Sequence, residues 1–266
     1  MTIDANLLSS DIRRIVLEQS KRAHVGHIGS CLSVADLVAS VFAAGIADAD
    51  PDDPDRDRFV LSKGHAALAL YAALHATGRV GDELLASFCS DGSSLGTHPE
   101  HVVDGVDFST GSLGQGLSMA AGAALAARIQ RSTRRVFVVM SDAECNEGSL
   151  WEAAMFAAHH RLSALVGIVD ANGQQALGYT RDVIDLSPLA ARWRAFGWDV
   201  HDVDGHDVDA LTATIAELDT ATGGPHVLIA RTVFGSGVSF MEGQIPWHYW
   251  PMSDEQYERA MAEVTA

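Results

Sequence analysis

Cysteine is scarce in these 266 residues. Cys31, Cys89 and Cys145 are odd in number and stand at no metal-ligand spacing, which argues against a disulfide framework and suits a reducing cytoplasm. Positive charge is scarce too: 18 Lys and Arg face 35 Asp and Glu, for a formal net charge of −17. Such a chain repels polyanions, so no nucleic-acid surface is expected. By the same argument, any polyanionic ligand it binds needs a cation or local backbone donors beside it. Long apolar runs are missing as well. The longest, Leu32 to Ala47, is broken by Asp36, and the start Met1-Thr-Ile-Asp-Ala-Asn has no basic region ahead of an apolar one; neither a signal peptide nor a membrane span is expected. No Gly-x-Gly-x-x-Gly follows a strand with a ribose-binding acid downstream, which disfavours a dinucleotide fold.

What is present is core-forming material, 47% hydrophobic residues, enough for one large domain over residues 1–266 with no repeat or linker dividing it. Asp48 to Asp57, broken by Pro51 and Pro54, reads as a solvated acidic loop. Apolar residues at helical spacing predict helices over Leu7 to Ser20, His65 to Thr77, Ser112 to Gln130, Leu150 to His160, Leu189 to Phe196 and Val208 to Leu218. A further helix over Val34 to Ala44 would open on a capping box of Ser33 and Asp36. Short β-branched runs at Val136 to Met140, Leu165 to Val169, Trp198 to Val203 and His226 to Thr232 lie between them. Strands alternating with helices imply an α/β fold, a parallel sheet covered by helices on both faces.

Chemistry concentrates where two of these strands end. Asp142 and Asn172 close consecutive buried runs thirty positions apart, and ligands of parallel α/β sheets collect at strand carboxyl ends. A carboxylate, an amide oxygen and a loop carbonyl converging there make a hard-oxygen set suited to Mg2+. An Asp in that position equally fits the N-cap of the next helix.

The string Ser141-Asp-Ala-Glu-Cys-Asn-Glu147-Gly, running on to Asp170-Ala-Asn172-Gly-Gln174, closely resembles the metal and diphosphate signature of transketolases. Other segments resemble family motifs in the expected order: Gly26-His27-Ile-Gly, Ser62-Lys-Gly-His65, Gly96-Thr-His98-Pro, the turn Gly111-Ser112-Leu113-Gly-Gln-Gly116, and Trp247-His248 after Gly237-Val-Ser-Phe-Met-Glu. The resemblance covers almost the whole chain and implies a thiamine-diphosphate-binding fold. It implies Asp142, Asn172 and the carbonyl of Gln174 as Mg2+ ligands, with His65, Gly111, Ser112, Leu113, Ala143, Glu147 and His248 also against the cofactor. Ala143 departs from the family's glycine and puts a methyl group beside the diphosphate.

Twelve histidines occur. His27, His65, His98 and His248 fall in the matched glycine- or proline-bearing loops, and imidazole suits proton transfer at ketose hydroxyls near neutral pH. His75, His101, His159, His160, His201, His206 and His226 read as surface or core residues, and His24 lies outside the pattern. Glu147 and Glu152 fit first-turn acids of a helix; the resemblance instead puts Glu147 in a carboxylate network at a subunit interface. Cys145 reads as a small filler. In the family, the pyrimidine-binding domain and its essential glutamate follow the segment matched here. The chain is therefore expected to be the diphosphate-binding half of a split transketolase, completed by a C-terminal subunit in a two-plus-two heterotetramer acting on ketose and aldose substrates. The alternatives are transfer to a carrier-protein thiol or other non-sugar acceptor, a deoxyxylulose-phosphate-synthase-like condensation, and a non-catalytic stabilising subunit.

Overall fold

The computed structural model describes residues 3–47 and 49–265. Met1, Thr2, Asp48 and Ala266 lie outside them, and with them the very start of the chain and the first residue of the acidic loop.

Five strands make the main sheet: β1 (Arg58–Leu61), β2 (Val136–Ser141), β3 (Leu165–Ala171), β6 (Asp199–Asp204) and β7 (His226–Arg231). A small antiparallel ribbon of β4 (Gln174–Gln175) and β5 (Gly178–Tyr179) follows β3. The main sheet is parallel throughout, in the order β1-β2-β3-β7-β6. The helices are α1 (Ala5–Ala23), α2 (Ile28–Ser33), α3 (Ala35–Val41), α4 (Ala67–Ala76), α5 (Asp82–Ala86), α6 (Gly116–Gln130), α7 (Gly148–His159), α8 (Thr180–Val183), α9 (Leu189–Ala195), α10 (Val208–Glu217) and α11 (Asp254–Val264).

Alternation along the strands divides the core in two. Phe59, Leu61, Phe137, Val139, Val166 and Ile168 point into one cluster, which α1 to α4 and α10 cover. Val60, Val136, Val138, Met140, Leu165 and Val169 point into the other, under α6, α7 and α9. Strand β2 is buried at every position, whereas the edge strand β6 is mostly exposed or half-buried. That is why the central strands read as unbroken apolar runs, as the expected fold requires.

Two local expectations are corrected. Ser33 and Asp36 form no capping box: Val34 precedes α3 with no side-chain cap, Ser33 Oγ donates to Asp170 at 2.7 Å, and Asp36 pairs with Arg13. Burial offers these polar groups tertiary partners in place of local ones. Helix α6 starts at Gly116, not Ser112, because Gly111 and Gly114 take φ of 148° and 88° and make a turn. Gly116 also has no room for a side chain, since a Cβ there would sit 2.1 Å from Ser62 Oγ. The turn after β1 is thereby seated on the α6 N-terminus. Helix α11, opened by a capping box of Ser253 and Gln256, carries no sequence-based expectation.

Candidate active site

The carboxyl ends of β1, β2, β3 and β7 meet at a cleft of about 360 Å3 lined by His27, Lys63, His65, Asn172, Gln174 and His248, among others. Each strand contributes through the loop that follows it. Asp170, fully buried at the end of β3, is the hub. It accepts hydrogen bonds from Ser33 Oγ at 2.7 Å and Asn172 Nδ2 at 2.9 Å, and from Thr232 Oγ1 and Lys63 Nζ. Lys63 is itself only 1% exposed. A buried ammonium survives because a carboxylate with further donors holds it.

Asp142 lies over the turn after β3. Its carboxylate accepts from Gly173 N at 2.9 Å and from Ala143 N at 2.8 Å, so it does cap the short 3-10 turn Ala143–Asn146. Asn172 Oδ1 accepts from Gln174 N at 2.9 Å. The side chains of Asp142 and Asn172 thus both accept from the backbone of the turn that carries Gln174. Burial, and then the nearby charge of Asp170, push the Asp142 carboxyl up to about 6. Unlike Asn172 and Gln174, which line the cleft, Asp142 borders a neighbouring groove with Thr180, Arg194, Asp202 and Arg231.

His27, His65 and His248 form a triangle with ring centroids 5.2 to 5.4 Å apart. Burial first, with Lys63 and neighbouring imidazoles adding to it, lowers His27 and holds His65 well below the usual range. Burial and then His27 bring His248 down to about 4. His98 stands behind them, its ring against Gly111, where a Cβ would meet His98 Cδ2 at 2.8 Å. Within the glycine-rich turn, Leu113 lines the cleft, while Gly111 and Ser112 border a separate shallow hollow. Ala143 lines the cleft and Glu147 is exposed at its rim.

The donor set fits a polyanionic ligand with a cation. Four buried polar atoms on residues lining the cleft have no hydrogen-bond partner: His27 Nδ1, Asn146 Oδ1, Gln174 Oε1 and Gln175 Nε2. Such orphans are costly unless a ligand or water meets them.

Sequence reasoning passed over several of these residues. Lys63 is one of two lysines in a chain of charge −17, a rarity that was a usable signal. Asp170 was hidden because only tertiary contacts distinguish it from any strand-end acid. Glu144, fully buried, accepts from Gly114 N at 2.8 Å and from Ser62 Oγ, tying the glycine turn to β1 and β2. His75 and His206 have structural partners, Val80 O at 2.8 Å and Asp36 at 2.7 Å. Burial raises the Cys145 thiol well above its usual range, as befits a filler.

A parallel α/β sheet with an amide and a buried ammonium lining a polar cleft at its carboxyl edge, and a carboxylate on the groove beside it, defines a ligand-binding protein of the doubly wound class. Comparison with known proteins sharpens that. The family described as transketolase, thiamine diphosphate binding domain, matches residues 4–264. The 6-deoxy-6-sulfo-D-fructose transketolase subunit of Clostridium sp. (strain MSTE9) is 38% identical over 98% of this chain and 96% of its own length. An apulose-4-phosphate transketolase subunit of Phocaeicola vulgatus is 39% identical over 97% of this chain and 93% of its own. The crystal structure of transketolase from Campylobacter jejuni superposes with a TM-score of 0.90 at 26% identity, covering all of this chain but 43% of that one. The chain belongs to the transketolase family and corresponds to its thiamine diphosphate binding domain. Among the described residues, no helix is long and apolar enough to cross a membrane.

Proposed function

We propose that this chain is the diphosphate-binding subunit of a two-chain transketolase, a single domain working in the cytoplasm. Its partner is a chain with the pyrimidine-binding domain, in a two-plus-two heterotetramer. The similarity to two relatives named as subunits, over nearly their full length, supports the split. Their names also support a sugar as donor.

Asp142, Asn172 and the carbonyl of Gln174 hold Mg2+, which offsets the diphosphate charge in so acidic a chain. The observation that carries this is the half-buried Asp142 carboxylate held at 2.9 Å by the backbone N–H of Gly173, the residue between Asn172 and Gln174. Thiamine diphosphate, when bound, supplies the electron sink for moving a two-carbon ketol unit. The protein's part is to bind, orient and move protons. His27, His65 and His248 are neutral near pH 7, so each offers one N–H and one lone pair to a ketose hydroxyl. His98 stands behind this group, against Gly111. Lys63, held by Asp170, adds positive charge at the cleft wall. Leu113 packs the cofactor side with Gly111 and Ser112 behind it, and Glu147 faces the partner from the rim.

The test is calorimetry of thiamine diphosphate and Mg2+ binding to the assembled pair of chains. Asp142→Ala should abolish Mg2+-dependent binding while the fold survives. Unchanged affinity, with only the loss of about 1 kcal/mol of stability that a lost cap costs, would reduce Asp142 to a helix cap.

A further inference from the structure

The opposite end of the sheet holds a second cluster of ligating side chains. Asp199 opens β6 and His226 opens β7, and the parallel register sets them side by side. His201, two residues after Asp199, falls on the same face of its strand. His201 Nε2 and His226 Nδ1 each lie 3.3 Å from the same oxygen, Asp199 Oδ2, and one ligand atom from each of the three residues falls within 4.8 Å of the others.

The tautomer of His226 decides what this cluster wants. Its Nε2 lies 3.0 Å from the carbonyl of Asp219, which can only accept, so Nε2 carries the hydrogen. In the neutral ring Nδ1 then bears a lone pair. That nitrogen is buried in a residue only 5% exposed and has no hydrogen-bond partner; His201 Nε2 is likewise buried and unpartnered. His226 Nδ1, with its lone pair, faces a carboxylate oxygen at 3.3 Å, a contact that is repulsive until a cation sits between them, and His201 Nε2 lies at the same distance from that oxygen. The Asp219 carbonyl supplies the outer-shell hydrogen bond that ordinarily fixes a metal-bound imidazole.

We infer that Asp199, His201 and His226 form a second metal site, for a borderline divalent ion of the Zn2+ class. Two imidazoles and one carboxylate favour such an ion over Mg2+, which prefers oxygen ligands. Asp199 is well exposed and His201 about a third exposed, leaving the fourth position to water. The site lies at the amino ends of β6 and β7, about 17 Å along the strands from the carboxyl edge at roughly 3.3 Å per residue. Its role is therefore structural: it clamps the edge strand β6 to β7 and to the segment that follows α10. It is independent of the proposed reaction.

The test uses the full chain, stripped with a chelator and kept in excess Mg2+ so that oxygen sites are filled, then titrated with Zn2+ by calorimetry and thermal unfolding. One Zn2+ should bind per chain at this site, with a rise in melting temperature. His201→Gln and Asp199→Asn, at positions open enough to fold, should each weaken binding at least about 10-fold, since loss of an outer-shell partner alone costs about 10–100-fold. Both variants should bind thiamine diphosphate with Mg2+ as the parent does. Equal Zn2+ affinity in all three proteins would mark adventitious binding and overturn the site. So would the absence of Zn2+ binding, which would make the cluster an ion pair only.

Discussion

Lys63 and Asp170 carry opposite charges where neither is tolerable alone. Removing one partner of such a buried pair typically costs about 3–5 kcal/mol, so the pair pins the ends of β1 and β3 together beneath the cleft. The same ammonium, next to burial, is what discharges His65. At His248 the consequence is measurable. Its pKa falls from 6.5 to about 4, with burial the main cause and His27 next. Between those values the unfolded chain takes up a proton that the fold refuses. This contribution to stability is complete above about pH 6.5 and is lost as the pH falls towards 4. His248→Phe keeps a ring against Phe234, which stacks on it at 6.0 Å, and should flatten the acid-side fall of stability in urea titrations across that range. An unchanged slope would show that other groups dominate.

Elements, not single residues, decide how tightly the cleft can close on a phosphate. Strand β2 ends on Ser141, whose Oγ accepts from Glu144 N at 3.0 Å, so a serine does locally what a bare glycine would leave to the backbone. Ala143, next but one, presents its methyl group to the cleft. Ala143→Gly should tighten thiamine diphosphate binding in the assembled enzyme while costing about 0.4–1 kcal/mol of stability through the freer unfolded chain. Calorimetry showing weaker binding would mean the loop is shaped around alanine. On the far wall, the β4–β5 ribbon hangs over the cleft, with Tyr249 Oη donating to Ala176 O at 2.8 Å. This ribbon was invisible in the sequence, because two-residue strands have no periodicity to read. The boundary of α7, expected at Leu150, lies at Gly148 for a similar reason: helix ends answer to neighbours more than to pattern.

At the scale of the molecule, some of the exposed apolar side chains stand at the cleft. Met155 and Phe156 stand out from α7, and Leu177, Ile184, Tyr249 and Trp250 are exposed at or beside the cleft. Single exposed apolar residues are ordinary, but patches at a functional edge mark contact surfaces. The lone chain should self-associate, bind thiamine diphosphate poorly and transfer no ketol unit, because nothing here resembles the family's glutamate for the pyrimidine end. A chain with the pyrimidine-binding domain should restore both. Donor turnover by rigorously partner-free protein with added Mg2+ and cofactor would refute the two-chain reading.

The sequence by itself determined the layered α/β architecture, because β2 and β3 are buried on both faces and must be apolar at nearly every position. It also singled out His27, His65, His98 and His248, and Asp142 with Asn172, because these stand in short polar motifs whose spacing survives in one dimension. What only the tertiary structure decided are the partnerships. Ser33 leaves a helix cap for Asp170, 137 positions along the chain; Lys63 finds the same carboxylate; and His201 and His226, which read as ordinary histidines, meet over Asp199 through strand register. Each joins residues that no short motif spans, and the free energy of burying a charge or a lone pair depends on what stands opposite it in space, which no local pattern encodes.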